Sequence, residues 1–216
     1  MTAGLVLAGG RSERFGSDKL AARLPDGRSL LAATVGALAG ACDPIVVVVA
    51  PTGTVPEDVP PTATIVRDAV AHEGPVAGLV AGLDALGRIG GDDGRVVVAA
   101  GDMPGLAADV LVRLAGSLGV GADDGDGPPA CVRLEAGRQR DGSRLAVFPF
   151  AVHRAAGLNA ARAAFDSGER RVRAVLAILP TTVIREGDWR ALDPAGATLL
   201  DVDRPSDLPG RSSASR

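Results

Sequence analysis

Aromatic side chains are almost missing from this chain: four phenylalanines, one tryptophan and no tyrosine in 216 residues. Apolar residues nevertheless make up 46%, so the core has to be aliphatic, built from Val, Leu, Ile and Ala. Lysine is scarcer still. Lys19 is the one lysine, and every other member of the 23 Lys and Arg is arginine. The net charge of −3 argues against a nucleic-acid-binding face, which needs a basic surplus to meet phosphates. The two cysteines, Cys42 and Cys131, are far apart, without CxxC or metal-ligand spacing, and read as buried or semi-buried free thiols in a reducing compartment. Neither His72 nor His153 has a Ser or Cys partner in a recognisable motif, which argues against a nucleophilic triad and leaves both as solvated surface residues. The longest apolar runs, such as 45–50, are far too short to span a bilayer. The start MTAGLVLAGG lacks a basic segment, and glycines interrupt it, unlike a signal peptide. A soluble, cytoplasmic protein without membrane or nucleic-acid partners is expected.

The patterns that are present alternate between two periods. Residues 4–8, 45–49 and 96–100 are continuous apolar runs, as in parallel strands buried on both faces, with 64–66 a shorter candidate. Helical patterns fall at 30–38, where Ser29 is placed as N-cap, and at 76–86 and 107–118. This alternation predicts an α/β fold: a doubly wound, mostly parallel, Rossmann-like sheet with helices on both faces. Further strands are expected at 130–134, 145–148 and 182–184, and helices at 151–167 and 170–179. One domain, 1–208, is expected. The Gly/Asp stretch at 119–129 divides a nucleotide-binding half (1–120) from an acceptor-binding half (130–208). The Ser- and Arg-rich tail 209–216 reads as disordered.

The first strand runs into LAGGRSERFGSDKL, residues 7–20. Glycines here let backbone N–H groups approach an anion. Walker A fails, because Lys19 follows Asp18 and precedes Leu20; GxGxxG and GxSxG fail on spacing too. The plainer alternative is an ordinary glycine-rich turn between strand and helix. GDMP, residues 101–104, follows the strand at 96–100 and sets Asp102 at its carboxyl end. Ligands of open α/β sheets bind there, where the strand order reverses. Winding the first three strands outward returns the fourth beside the first, and so brings Asp102 next to Gly9.

The stretch 7–20 resembles the LAGGxSxRMGxDK signature of sugar-nucleotide-pyrophosphorylase-like nucleotidyltransferases. It is most similar to their molybdenum cofactor guanylyltransferase branch, with Phe15 in place of the usual methionine. The resemblance implies a nucleotide-diphospho-sugar-transferase-like fold. It sets Leu7, Ala8 and Gly9 against base and ribose, with Gly10 and Gly16 in the phosphate loop and Arg14 and Lys19 on a triphosphate. Asp68 matches a family aspartate at the nucleotide. Gly74 and Pro75 open GPVAG, similar to the family's GPLAG turn at the purine. A carboxylate facing a triphosphate suits Mg²⁺, so Asp102 is expected to hold it; the plainer alternative is an N-cap for the helix after Pro104. LLDVDRPSDL, residues 199–208, resembles an NxNTPEDL element and offers Asp203 as a second metal ligand, ahead of Asp201, although Asp before Arg-Pro is also an ordinary turn residue.

GERRV, residues 168–172, is similar to a string of the guanylyltransferase branch. Glu169, Arg170 and Arg171 are candidates for the anionic acceptor, or else a capped helix start. The chain departs from the family at 141–144, DGSR where relatives carry a His-Pro or Gln-Pro element, and before Pro51, where a polar residue is missing. The expected activity moves GMP from Mg-GTP to the terminal phosphate of the molybdopterin cofactor, with transient contact to molybdoenzymes or cofactor-delivery proteins. The rivals are a sister transferase such as a molybdopterin cytidylyltransferase, a non-catalytic nucleotide sensor, and, disfavoured by its missing fingerprint, a nicotinamide oxidoreductase.

Overall fold

Continuous apolar runs buried on both faces set the central strands of the architecture seen in the computed structural model, which describes residues 1–9, 18–67, 74–119, 129–137 and 144–208. Gly10, Arg14, Gly16, Asp68 and His72 lie outside the described residues, as does the tail 209–216. In chain order the elements are β1 (Ala3–Ala8), α1 (Leu30–Ala39), β2 (Ile45–Val49), β3 (Thr64–Arg67), α2 (Pro75–Ile89), β4 (Arg95–Ala100) and α3 (Ala108–Gly116). They are followed by β5 (Cys131–Glu135), β6 (Leu145–His153), α4 (Arg154–Asp166), α5 (Val172–Ala177), β7 (Thr181–Ile184) and α6 (Glu186–Arg190).

The strands form one sheet in the order β3-β2-β1-β4-β6-β5-β7. All pairs are parallel except those of β6, which runs antiparallel to both β4 and β5. Successive residues of β1 face opposite layers. Val6 and Ala8 pack with Leu31, Val35 and Leu111 of α1 and α3. Leu5 and Leu7 pack with Leu79 and Leu83 of α2. The order reverses between β1 and β4, so the carboxyl ends of these two strands flank the switch point, as the winding predicts.

Ser29 caps α1, its Oγ accepting from the Ala32 amide at 3.1 Å. The helix expected from residue 151 starts only at Arg154, because Ala151 and Val152 continue the buried ladder opposite Val97 and Val96. An apolar Ala-Val pair has no period of its own, and sheet pairing decides it. The helix expected at 170–179 is shorter, Val172–Ala177. His153 is half-buried rather than solvated, with Nε2 3.2 Å from the Leu118 carbonyl. Both cysteines are free and buried. Burial pushes the Cys42 thiol up to about 12 and Cys131 to about 11, which keeps them inert as nucleophiles.

Helix α2 lies close on the sheet because Gly82 faces Leu5 and Val48; a Cβ there would run into the Leu5 side chain. Gly82→Val should therefore overpack this layer and cost about 1–3 kcal/mol. The loss should be read as a lowered urea midpoint at unchanged slope.

Candidate active site

The site grows from three backbone segments that meet at the carboxyl ends of β1 and β4. The first carries Lys19, which opens a short 3-10 turn, Lys19–Ala21. Asp18 caps that turn by accepting from the Leu20 amide at 3.1 Å, and its other oxygen accepts from the Thr54 hydroxyl at 2.5 Å. The second is the turn after β4. It holds Asp102 and is tied to α1 by the buried Thr34 hydroxyl, whose one proton is shared between the Leu30 carbonyl at 3.0 Å and the Gly101 carbonyl at 3.2 Å. The third is the segment 200–208. Val202 and Leu208 sink into a small cluster with Leu24, Leu30 and Ala33, and the Val202 amide donates to the Asp102 carbonyl at 3.1 Å. Asp207 accepts from the amides of Asp203 and Arg204 and fixes the turn that presents Asp203.

These segments deliver one ammonium to two carboxylates. Lys19 Nζ donates to Asp102 Oδ2 at 2.7 Å and to Asp203 Oδ1 at 3.1 Å. Burial alone would lower the Lys19 pKa, but the hydrogen bonds and charges of Asp102 and then Asp203 outweigh it and hold the ammonium above its ordinary value. Asp201 is also shifted upward, which for a carboxylate disfavours the charged form: desolvation, then the charges of Asp203 and Asp102, push its pKa up. Asp102 Oδ1 is buried with no hydrogen-bond partner among the described residues. The helix-cap alternative for Asp102 does not hold, since α3 begins at Ala108 with Ala107 as its cap residue. No cluster of three or more potential metal-ligating His, Cys, Asp or Glu occurs among the described residues, and none of their helices is long and apolar enough to cross a membrane.

A cleft of about 220 Å³ opens beside this group, lined by Leu7, Ala8, Gly9, Lys19, Pro75 and Asp102 among others. A narrow recess continues behind it, formed by Leu7, Gly9, Val48, Gly74, Pro75 and Gly78. Gly74 has φ of 82°, and a Cβ on it would stand 3.0 Å from Arg170 Cβ, so this turn needs glycine on both counts. The described residues expected at a nucleotide thus converge: Leu7, Ala8, Gly9, Lys19, Gly74, Pro75 and Asp102 share one cleft and its recess, and Asp203 joins them through Lys19.

Glu169, Arg170 and Arg171 are not brought to that cleft's lining. Glu169 accepts from the amides of Arg170 and Arg171 and from the Arg171 guanidinium. Those bonds hold its carboxyl down at about 2. Arg170 stacks over Phe165, 4.2 Å from the ring centroid, and backs Gly74. Their visible work is to start α5 and to brace the Gly74 turn. Sequence reasoning missed Asp18, Thr34 and Val202, and also Phe148, which lines the same cleft. Only the Asp18 cap, directly before Lys19, left a local signal.

Residues 4–184 match the family model of the MobA-like NTP transferase domain. A probable molybdenum cofactor guanylyltransferase of Chloroflexus aggregans is 30% identical over 210 residues, 96% of this chain and 92% of that protein. Another, of Mycolicibacterium paratuberculosis, is 41% identical over 110 residues, 50% of this chain and 53% of its own length. Among solved structures, molybdopterin-guanine dinucleotide biosynthesis protein A of Archaeoglobus fulgidus superposes with a TM-score of 0.66 at 20% identity, covering 96% and 95% of the two chains. The 2-C-methyl-D-erythritol 4-phosphate cytidylyltransferase of Thermus thermophilus superposes at 0.60 with 16% identity, covering 96% of each. At these identities the structural likeness is one of fold.

Proposed function

The chain belongs to the MobA-like NTP transferase family, and from that premise we propose that it moves GMP from GTP to the terminal phosphate of molybdopterin, releasing pyrophosphate. The observation that carries this reading is the convergence of Lys19, Asp102 and Asp203 beside a cleft at the β1–β4 switch point. A guanylyltransferase needs cations for a triphosphate and carboxylates for a divalent metal at one place.

The donor set fits Mg²⁺. Asp102 keeps a buried oxygen without a partner, and a second carboxylate hangs from the same ammonium. Such an ion takes one or two carboxylates and completes its shell with water and phosphate oxygens. Asp102 and Asp203 would hold it. Bound there, Mg²⁺ supplies neutralisation of the charge on the phosphates.

The chain's own residues do the rest. Leu7, Ala8 and Gly9 pack against base and ribose, with the Gly74–Pro75 turn at the purine and Asp68 at the nucleotide. Gly10 and Gly16 bring backbone amides to the phosphates, and Arg14 and Lys19 hold the triphosphate in line for attack. An acceptor phosphate oxygen attacks the α-phosphorus, the bond to the β-phosphate oxygen breaks, and pyrophosphate leaves with that electron pair. The acceptor is already ionised near neutral pH, so no general base is required. Acceleration comes from positioning and charge stabilisation. A cytoplasmic location and transient contact with molybdoenzymes or cofactor-delivery proteins belong to the same proposal.

The test incubates the protein with Mg²⁺, molybdopterin and each NTP in turn, and follows pyrophosphate. Release with GTP alone is expected. Release with CTP instead makes the protein a cytidylyltransferase, and saturable GTP binding without turnover makes it a sensor.

A further inference from the structure

A second cleft, about 230 Å³, borders on Phe148 as the first does. The two clefts are of similar size and share two lining residues, Ala100 and Phe148. Met103, Ala146, Leu199 and Asp201 complete much of the second. It reaches the same reaction centre, because Asp201 precedes Val202, whose amide bonds to the Asp102 carbonyl. A transferase needs two ligand spaces that meet where the bond is exchanged. Here they meet at the end of β4, beside Asp102.

Phe148 is unusual in a chain so poor in aromatics. Trp189 and Phe150 are fully buried in the core, and the Phe165 ring is covered by the Arg170 guanidinium. Phe148, by contrast, lines both clefts. Its place follows from the sheet. Pro149 has no N–H to give to a ladder, so β6 pairs with β4 only as far as Phe150 opposite Val98. Phe148 projects just past that last pair. The buried Phe150 ring braces it, with centroids 5.8 Å apart and planes inclined by 32°. A ring fixed in this way offers a pre-organised face, and aromatic faces bind flat heterocycles by stacking.

We propose that Phe148 is the stacking platform for the acceptor's fused heterocycle, which lies in the second cleft between Ala146 and the Met103–Leu199 wall with its phosphate directed to Lys19. This rests on the nucleotidyltransferase reading above and goes beyond it by assigning the acceptor's ring to a cleft and a residue. It also moves acceptor recognition away from Glu169, Arg170 and Arg171, whose side chains already serve α5 and the Gly74 turn.

The test uses the full chain and neopterin monophosphate, a pterin that carries one phosphate, with its dissociation constant measured by equilibrium dialysis. The expected result is saturable binding that molybdopterin displaces and saturating Mg-GTP does not. Phe148→Leu should weaken the probe about tenfold or more, the scale of one lost aromatic stack. Phe148→Tyr should stay within about threefold of wild type, and because Phe148 also borders the first cleft, GTP affinity in Phe148→Leu should fall, but by clearly less than probe affinity. Equal probe affinity in wild type and Phe148→Leu would overturn the proposal, as would displacement by GTP, absence of probe binding, or loss of GTP affinity in step with the probe. The dialysis needs no turnover. A failure here with pyrophosphate release intact removes only the Phe148 assignment, whereas no release from GTP and molybdopterin removes the broader reading.

Discussion

Asp102→Asn is expected to lower the rate of pyrophosphate release with GTP by about 10³-fold or more, roughly 4 kcal/mol of lost charge stabilisation. The substitution is nearly isosteric, keeps the Asp102 carbonyl that receives the Val202 amide, and leaves a side-chain oxygen for Lys19. The fold should therefore survive, with a melting temperature within a few degrees of wild type. What is lost is the negative charge at the end of β4 and half of the donor set that suits a divalent cation. GTP affinity should fall far less than turnover, because the proposed base and ribose contacts are those of Leu7, Ala8 and the Gly74 turn. The discriminating measurement is the Mg²⁺ dependence of the residual rate, which should shift to much higher concentrations. An unchanged Mg²⁺ dependence would remove Asp102 from the metal site.

The second large effect belongs to Lys19. Lys19→Arg should cut turnover about 10²-fold or more while leaving the protein folded, a loss comparable to removing one well-aimed donor from a charge-stabilising site. The side chain is only 13% exposed and its ammonium sits 2.7 and 3.1 Å from two carboxylates. A compact, rotatable point charge fits between them. A planar guanidinium is wider and would push one carboxylate aside or miss the phosphates. Near-wild-type turnover in Lys19→Arg, measured at saturating GTP, would show that any cation serves there. The structure adds a task to the one expected from sequence. Besides the phosphate contact proposed for it, Lys19 is the counter-charge that bridges Asp102 and Asp203 and also offsets the charge of Asp201, which a glycine-rich loop by itself does not suggest.

Much of the first half of the chain was legible because its signals are local. The runs at 4–8, 45–49 and 96–100 are too apolar for anything but buried strands, and Ser29 caps its helix within three residues of itself. GDMP directly after a buried strand placed Asp102 at a carboxyl end, and the winding rule for parallel strands then set it beside Gly9. Glu169 shows the limit of such reasoning. GERR carries the right chemistry for an anion, yet its carboxylate is used by the two amides that follow it, a bonding choice that composition does not encode.

What the sequence determined by itself was the α/β alternation, the aliphatic core, the glycine-rich stretch after the first strand and the position of Asp102 at a strand end. Each follows from period, spacing or a neighbouring residue. Only the tertiary structure decided that Asp203 meets Lys19 across 184 positions, that Ala151 and Val152 belong to an antiparallel strand, and that Phe148 borders two clefts. The reason is physical. These outcomes depend on which apolar surfaces find each other, such as Val202 and Leu208 against Leu24 and Leu30, and burial between distant segments leaves no mark in the spacing of either one.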